Sequence, residues 1–286
     1  MMSSRLYCFD TPDLFLDYKH NDPDTFSQFS MHVHNLYELD YIVSGRGSYY
    51  IEGAQYPIFS GCLLLIRPID AHMTHVDTDV SYERVTLQFS AEILKEIDPS
   101  GVLSEFIRTL PAPQIAPPTE AESFFKQLFT GLRTLREEPL LYQRQSILAV
   151  LSTTLFSLRR LLRTSHKINV SMGVSVSDTI RAVIVFINQH LTEDLSLDRL
   201  CKHFGISKSY MNKRFKEITG TTLWDYVLIK RLTIARQKIH GGMPIQEAFR
   251  NSGFSDYSNF YRCYVKRFGI SPKEDSARNQ RTVIMS

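Results

Sequence analysis

The sequence predicts an α+β protein with two domains: a β-barrel followed by a helical hairpin, then an all-α domain of two helix-turn-helix units joined by a long linker helix. The chain has 286 residues, more than a typical single domain. Short apolar runs separated by glycines fill roughly the first 90 residues, and apolar residues at helical spacing dominate afterwards. We assign residues 1–163 to the first domain (barrel about 1–90, helices about 91–163), residues 164–177 to a linker and residues 178–286 to the second domain.

Composition narrows the class of protein. Hydrophobic residues make up 43% of the chain, enough for packed cores, and no apolar run approaches the roughly 18 residues of a membrane span. The N-terminus lacks the layout of a signal peptide, and the four cysteines form no paired framework. We therefore expect a cytoplasmic protein without a membrane partner. No cofactor-binding or catalytic motif is present, so we expect neither a cofactor nor an enzymatic activity.

The charge is unevenly distributed along the chain. Residues 1–176 contain 15 Lys and Arg against 20 Asp and Glu, whereas residues 177–286 contain 18 against 10. A basic C-terminal domain attached to an acidic N-terminal one is typical of a module that binds a polyanion such as nucleic acid.

Two amphipathic helices are predicted after the barrel. In the second, leucines recur seven residues apart with two more between them, which gives a narrow apolar seam of about three heptads. The seam consists of Leu141, Leu148, Leu151, Leu155, Leu158 and Leu162. It fits two interpretations, packing of the hairpin against its own domain or a dimer interface, and Arg144 interrupts it.

The C-terminal domain contains two helix-turn-helix patterns. In the first, Ser196 is a good N-cap, Gly205 permits a left-handed turn and Ser207 caps the next helix. The second begins at Pro244 and turns at Gly253, and aligning the two turns gives a repeat of 48 residues. Two imperfect copies of one unit are much stronger evidence than one copy.

A long helix separates the two units. Thr222 and Asp225 form a capping pair at its start, and Gly241 ends it. Its roughly 18 residues span about 27 Å. With the radius of each flanking unit added, the two recognition helices are expected about one DNA turn, ~34 Å, apart.

Five motifs within residues 180–275 carry a family resemblance. They are Ser196-Leu197-x-x-Leu200, Gly205-Ile206-Ser207-x-x-Tyr210-Met211-x-x-x-Phe215-Lys216, Gly220…Tyr226…Lys230-Arg231-Leu232…Ala235, Gly253-Phe254-Ser255-Asp256-Tyr257-Ser258-x-Phe260-Tyr261-Arg262 and Gly269-Ile270-Ser271-Pro272. Together they resemble the DNA-binding domain of the AraC/XylS family of bacterial transcription regulators. In that family the second helix of each unit, the recognition helix, contacts bases.

The resemblance implies specific DNA contacts by position. The implied base-reading residues are Ser209, Asn212, Lys213, Tyr257, Ser258, Tyr261 and Arg262. The implied phosphate contacts are Lys208, Lys216 and Lys266. The chemistry agrees, because Asn pairs with adenine, Lys and Arg favour guanine, and Tyr supplies apolar contacts or phosphate bonds.

The chain departs from the family pattern at three places. The family has a small alanine where this chain has Cys201 and again where it has Phe249, so the second unit must repack around a phenylalanine. The closing Pro-x-x-Tyr-Arg motif is replaced here by Pro272, Asp275 and Ser276, so we expect the tail to dock differently.

The barrel sequence contains a second resemblance. The pattern His32-x-His34-x-x-x-Glu38, with Gly45 and then Pro68-x-x-x-His72, is similar to the two-part cupin motif. Three interpretations stay open: an organic effector pocket, a metal site, or polar residues with a structural role only. The candidate effector contacts are His32, His34, Glu38, Arg46, Arg67 and His72. We expect no bound metal, and the candidate ligands for one are His32, His34, Glu38 and His72.

These observations lead to three hypotheses. The first is a transcription regulator, most often an activator in this family, that binds double-stranded DNA as a homodimer and engages RNA polymerase. A sugar-like effector in the barrel would control it by shifting a population of conformations. The alternative is a metal-dependent cupin enzyme fused to a DNA-binding domain. A third hypothesis is a regulator that needs no effector and responds to its own abundance.

Overall fold

The computed structural model describes residues 4–23, 31–110, 113–117, 119–164, 169–171, 174–175 and 178–277. Contacts between Cα atoms divide the chain into two compact domains. The first contains Met1–Ser30 and Leu36–Val174, and the second contains Met31–Asn35 and Ser175–Ser286. The first is rich in β-strands and the second is helical, which confirms the predicted α+β class. Among the helices of the described residues, none is long and apolar enough to cross a membrane.

Two β-sheets form the base of the first domain. The strands are β1 Ser4–Asp10, β2 Leu14–Asn21, β3 Tyr37–Ser44, β4 Gly47–Ile51, β5 Ala54–Ile58, β6 Leu63–Ile66, β7 His72–Val76, β8 Tyr82–Phe89, β9 Gln114–Ala116, β10 Asn169–Ser171 and β11 Val174–Ser175. One sheet has seven strands in the order β1-β2-β8-β3-β6-β9-β10, and the other has four in the order β11-β5-β4-β7.

Strand β3 shows how the barrel divides its two faces. Leu39 and Tyr41 belong to the apolar core between the seven-stranded sheet and the helices. Ile42 belongs to a different core, which also contains residues of the four-stranded sheet. Because side chains alternate along a strand, Glu38 and Asp40 lie on the same face as Ile42. The sequence places two carboxylates inside the barrel.

Four helices follow the barrel: α1 Ala91–Ile97, α2 Val102–Thr109, α3 Thr119–Gly131 and α4 Leu140–Thr164, with a 3-10 helix Leu132–Glu137 between the last two. The hairpin of α3 and α4 packs on the seven-stranded sheet, where the rings of Phe129 and Tyr41 stack at 4.6 Å. Tyr7 in β1 donates a hydrogen bond to Gln143 in α4 at 2.7 Å.

The leucine seam of α4 packs against its own domain. Leu148, Leu151, Leu155 and Leu158 are buried in the core beneath the sheet, whereas Leu141 is exposed. Arg144, which interrupts the seam, forms ion pairs with Glu96 and Asp13 at 2.8 and 3.3 Å. The first of the two interpretations of the seam is therefore the one that the core supports.

The predicted linker at residues 164–177 contains regular structure in its described part. Asn169–Ser171 pairs antiparallel with Gln114–Ala116 and so extends the seven-stranded sheet. Val174–Ser175 is the edge strand of the four-stranded sheet. The polar, aperiodic sequence concealed these strands because two or three residues are too few for an alternating pattern.

The described residues of the second domain form the helices α5 Asp178–Gln189, α6 Leu197–Phe204, α7 Lys208–Thr219, α8 Leu223–His240, α9 Ile245–Arg250 and α10 Tyr257–Phe268. The predicted caps are present. Ser196, Ser207 and Thr222 each accept a hydrogen bond from the backbone N–H three residues later, and Asp256 does the same for α10.

The two helix-turn-helix units differ by one residue in the spacing between the start of the first helix and the start of the recognition helix. The first helices, α6 and α9, begin at Leu197 and Ile245, which agrees with the predicted repeat of 48. The recognition helices, α7 and α10, begin at Lys208 and Tyr257 and are therefore 49 residues apart. Equivalent buried and capping residues of the two helices are also 49 residues apart: Met211 and Phe260, Phe215 and Tyr264, and Gly220 and Gly269. The single repeat of 48 is thus wrong for the recognition helices.

Arg231 in α8 ties the long helix to the segment that precedes α6. Its guanidinium is largely buried and donates hydrogen bonds to the carbonyl oxygens of Leu191 at 2.7 Å and Glu193 at 2.6 Å. The turn of the second unit also approaches here. A Cβ on Gly253 would lie 2.5 Å from the Leu191 oxygen, and the φ of this glycine is +82°. Glycine is required at this position for both reasons.

We expect Gly253→Ala to destabilise the second unit much more than Gly205→Ala. Gly205 also has a positive φ, +65°, but nothing lies within 4 Å of a Cβ there. The control substitution should therefore lose only ~1–2 kcal/mol for the left-handed backbone. At Gly253 the clash adds about 1–3 kcal/mol. Urea unfolding followed by fluorescence of Trp224, the single tryptophan, measures both; equal losses would contradict the close approach.

Candidate functional site

The recognition helices present matched side chains at equal positions. With the offset of 49, the predicted base-reading residues form the pairs Ser209 with Ser258, Asn212 with Tyr261 and Lys213 with Arg262. All six are exposed, as is Tyr257. The inner faces of the same helices are buried through Met211, Phe215, Phe260 and Tyr264. The structure therefore brings the predicted residues together on the outer face of each recognition helix.

The cations of this surface differ in their partners. Lys213, Lys216, Arg262 and Lys266 are exposed and form no ion pair with any residue that the structure describes. Lys208 instead pairs with Asp198 of the preceding helix at 2.5 Å, with both groups in solvent. A phosphate contact from Lys208 must therefore replace this ion pair, which is worth little at an exposed position.

Phe249 is accommodated by an aromatic cluster in the second unit. Its side chain is 6% exposed, and its ring meets the rings of Tyr257 and Phe260 at centroid distances of 5.5 and 5.6 Å. Phe254 packs edge-on against Phe260 at 5.1 Å. The predicted repacking around Phe249 thus uses the recognition helix itself, including a residue of its outer face.

The tail docks through Asp275, which stands where the family motif has tyrosine. Its carboxylate accepts hydrogen bonds from Tyr264 and Arg236 at 2.7 Å each and lies 3.0 Å from Nε2 of His240. Burial alone would raise the pKa of Asp275, but these hydrogen bonds outweigh it and hold the pKa well below its usual range. Asp275 thus anchors the tail to α8 and α10.

A cluster of polar side chains lies buried inside the barrel. Glu38 accepts hydrogen bonds from Gln88 at 2.6 Å and from the Tyr49 hydroxyl at 3.1 Å. Asp40 accepts from the same hydroxyl and from Thr86, at 2.5 Å each. The strand register explains the cluster, since Glu38 and Asp40 on β3 lie opposite Gln88 and Thr86 on β8. Tyr49 reaches them from β4 in the other sheet.

Charge completes the cluster. Arg84 of β8 lies 3.8 Å from Asp40, and Nε2 of His72 lies 3.5 Å from Glu38. Burial raises the pKa of Asp40 to about 6; Arg84 opposes this shift, and Glu38 adds to it. Burial alone would lower the pKa of His72, yet the Glu38 carboxylate outweighs it and the pKa is raised. The cluster is a set of strong hydrogen-bond donors and acceptors within a low-dielectric interior.

Two of the predicted effector contacts lie elsewhere. Arg46 is more than half exposed in the turn after β3 and pairs with Asp77 and Asp79. Arg67 is equally exposed and pairs with Asp70 at 3.2 Å. Each arginine follows a strand end, where side chains reach solvent, so the structure places neither of them in the buried cluster.

Several residues of the buried cluster were not predicted from the sequence. Asp40, Arg84, Thr86 and Gln88 continue the i, i+2 alternation of their strands toward the interior. This alternation was visible in residues 38–40 and 84–88. Tyr49 gave no comparable signal, because its inward position depends on pairing within the second sheet.

The remaining four candidates fall in two groups. His32 and His34 belong to the second domain, with ring centroids 5.9 Å apart. Glu38 and His72 belong to the first domain, where Nε2 of His72 lies 3.5 Å from the Glu38 carboxylate. Imidazole and carboxylate groups are ligand types that suit a transition-metal ion, so the four residues stay the predicted candidates for one.

Known family models match both parts of the chain. The model described as AraC-like ligand binding domain matches residues 18–144, and that described as helix-turn-helix domain matches residues 200–278. Together they include the buried polar cluster and both recognition helices.

Two relatives match most of the chain. The chain is 28% identical over 240 residues, 81% of each chain, to the uncharacterized HTH-type transcriptional regulator YbfI of Bacillus subtilis. It is 24% identical over 256 residues to the HTH-type transcriptional activator RhaS of Escherichia fergusonii, covering 86% of this chain and 87% of that one.

A shorter relative matches about a third of this chain. The regulatory protein SoxS of Escherichia coli is 28% identical over 96 residues, 33% of this chain and 90% of its own. These relatives are regulators, and nothing among them supports the alternative of a metal-dependent enzyme. The chain therefore belongs to the AraC family of transcription regulators, with a ligand-binding domain in its N-terminal part and a helix-turn-helix DNA-binding domain in its C-terminal part.

Proposed function

We propose that this regulator is a cytoplasmic transcription activator that contacts bases through matched residues of its two recognition helices. This proposal rests on the three pairs of exposed residues that occupy equivalent positions on α7 and α10. Lys213 and Arg262 are the charged pair among them. Either cation suits the O6 and N7 acceptors of guanine in the major groove. The activator role is supported by RhaS, a relative named as an activator, and requires engagement of RNA polymerase.

The ligand proposed for the first domain is a small polyhydroxylated molecule such as a sugar or sugar acid. Glu38, Asp40 and Gln88 offer acceptors and donors of the kind that hydroxyl groups pair with. Their bonds are satisfied within the cluster, so a ligand would exchange these internal hydrogen bonds for its own. Binding of this kind favours one conformation of the domain over another and thereby shifts a population.

A transition-metal ion is a second candidate ligand. It is favoured by the buried Glu38 and His72 pair of the barrel, whose carboxylate and imidazole lie 3.5 Å apart, with His32 and His34 as further candidates from the sequence motif. Metal binding and sugar binding both depend on Glu38, and they differ in their response to a chelator.

The active form is proposed to be a homodimer joined through the outer face of α4. The leucine seam is occupied by the domain's own core, but the opposite face carries Tyr142, Ala149 and Phe156 at heptad spacing, with Tyr142 66% and Phe156 42% exposed. Exposed Glu138 precedes α4 and Arg163 ends it. An antiparallel pair places each glutamate near an arginine of the partner, whereas a parallel pair places like charges together.

We expect Arg262→Ala to weaken binding to the preferred DNA site by ~1–3 kcal/mol and to relax selectivity at one base pair. Lys266→Ala is the matched control, since loss of a phosphate contact should weaken all sequences alike and lower the salt dependence. The site is first selected from random DNA with the full chain, and affinities are measured on its single-base variants. Unchanged affinity and selectivity for Arg262→Ala would refute the assignment of α10.

Glu38→Gln should weaken effector binding by tenfold or more, because it removes a buried charged hydrogen-bond acceptor. The measurement is the rise in unfolding temperature over a panel of sugars, sugar acids and divalent metals, with and without chelator. Arg67→Ala is the control, because this side chain is exposed and paired with Asp70. A regulator without an effector would show no stabilisation by any member of the panel.

Phe156→Glu should convert the dimer to monomer at micromolar concentration, because it buries a charge in the proposed interface. Phe124→Glu is the matched control: Phe124 is 43% exposed and lies on α3. Sedimentation velocity of the full chain measures the state of each variant. A dimer that survives Phe156→Glu but not Phe124→Glu would place the interface on α3 instead.

A further inference from the structure

The two recognition helices differ in chemistry at their matched positions. Where α7 has Lys208 and Asn212, α10 has Tyr257 and Tyr261. The two tyrosines are one helical turn apart, their ring centroids are separated by 6.5 Å, and they are 37% and 43% exposed. Helix α10 therefore carries an exposed aromatic pair on its outer face, whereas α7 carries polar groups at these two positions.

The inner tyrosine of this pair is supported from within the protein. The ring of Phe249 meets that of Tyr257 edge to face, at 5.5 Å and an interplanar angle of 84°, and Phe260 adds a contact at 5.8 Å. In the first unit the position of Phe249 is taken by Cys201, which is much smaller. The large residue at 249 and the tyrosine at 257 occur in the same unit and touch each other.

The chemistry of the pair limits what it can contact in DNA. The tyrosine hydroxyls form no hydrogen bond with any part of the chain that the structure describes, and the exposed surface of the pair is mainly ring. Among the base edges of the major groove, the apolar group is the 5-methyl of thymine. Arg262 beside the pair supplies the charged contact, so the rings are left for an apolar one.

We propose that Tyr257 and Tyr261 receive the 5-methyl group of a thymine, and that Phe249 is a positioning residue that holds the Tyr257 ring for this contact. The inference rests on the proposed DNA binding and adds the base and the group that the second unit recognises. The first unit has Lys208 and Asn212 at the two matched positions, so we expect this contact in the part of the DNA site that α10 contacts.

The test removes the methyl group alone. In the DNA site selected with the full chain, each thymine is replaced in turn by deoxyuridine. We expect about fourfold weaker binding at one or two positions, the effect of one buried methyl group. Tyr261→Ala should abolish this difference between thymine and uracil, whereas Asn212→Ala in the first unit should retain it.

Two further variants separate rings from hydroxyls. Tyr257→Phe and Tyr261→Phe should keep the full difference between thymine and uracil, because the ring and not the hydroxyl makes the contact. If the hydroxyls bind phosphate instead, these variants lose affinity for every sequence and uracil has no effect; that result overturns the proposal. Selective DNA binding without any uracil-sensitive position also overturns the thymine contact, but it leaves the proposed function intact. If the chain shows no selective DNA binding, both the thymine contact and the proposed function are overturned.

The role of Phe249 needs its own comparison. Phe249→Ala should reduce the difference between thymine and uracil, whereas Phe254→Leu should retain it, because Phe254 contacts Phe260. Phe249→Met fills more of the space and provides a folded variant if alanine destabilises the domain; Trp224 fluorescence verifies folding of each. A full thymine preference in a folded Phe249 variant would show that this residue does not position Tyr257.

Discussion

The geometry of the DNA-binding domain depends on one buried interaction, the bonding of the Arg231 guanidinium to two backbone carbonyls ahead of α6. A buried cation without partners is very unfavourable. The helix α8, which joins the two helix-turn-helix units, is therefore held against the first of them by Arg231. The turn at Gly253 packs against the same carbonyl of Leu191. One small region thus connects the long helix, the segment ahead of α6 and the turn of the second helix-turn-helix unit.

The barrel also depends on buried charged side chains and their partners, in this case with charges of both signs. Alternation on β3 puts apolar residues on the helix-covered face and Glu38 and Asp40 inside. Two carboxylates so close together repel each other, and the donors from Tyr49, Gln88 and Thr86, with the charge of Arg84, make the arrangement tolerable. Such a cluster is costly as a structural element alone, since apolar residues of similar volume would pack at least as well. Its presence inside a ligand-binding domain is understandable if a ligand uses the same groups.

The extent to which the sequence predicts this structure varies with the range of the interactions. Caps such as Ser207 and Thr222 are local, depending on a side chain and a backbone N–H three residues away, and they were predictable. Glu38 and His72 were predictable as a spaced motif. The exposure of Arg46 and Arg67 was not predictable, because residue type alone does not tell whether a strand-end side chain turns inward. Tyr49 was missed because its partners come from another sheet, and β10 because its pairing with β9 is 50 or more residues away in the sequence.

The departures of the second helix-turn-helix unit from the family pattern are physically linked. A phenylalanine at 249 needs space beneath the recognition helix, and the spacing from the start of α9 to the start of α10 is one residue longer than that from α6 to α7. The ring then supports Tyr257. At the other end of α10, Arg236 stacks on Phe268 at 4.6 Å and bonds Asp275, which also accepts from Tyr264. Side-chain contacts therefore hold both ends of the second recognition helix, and they flank the residues that distinguish its DNA surface from that of the first.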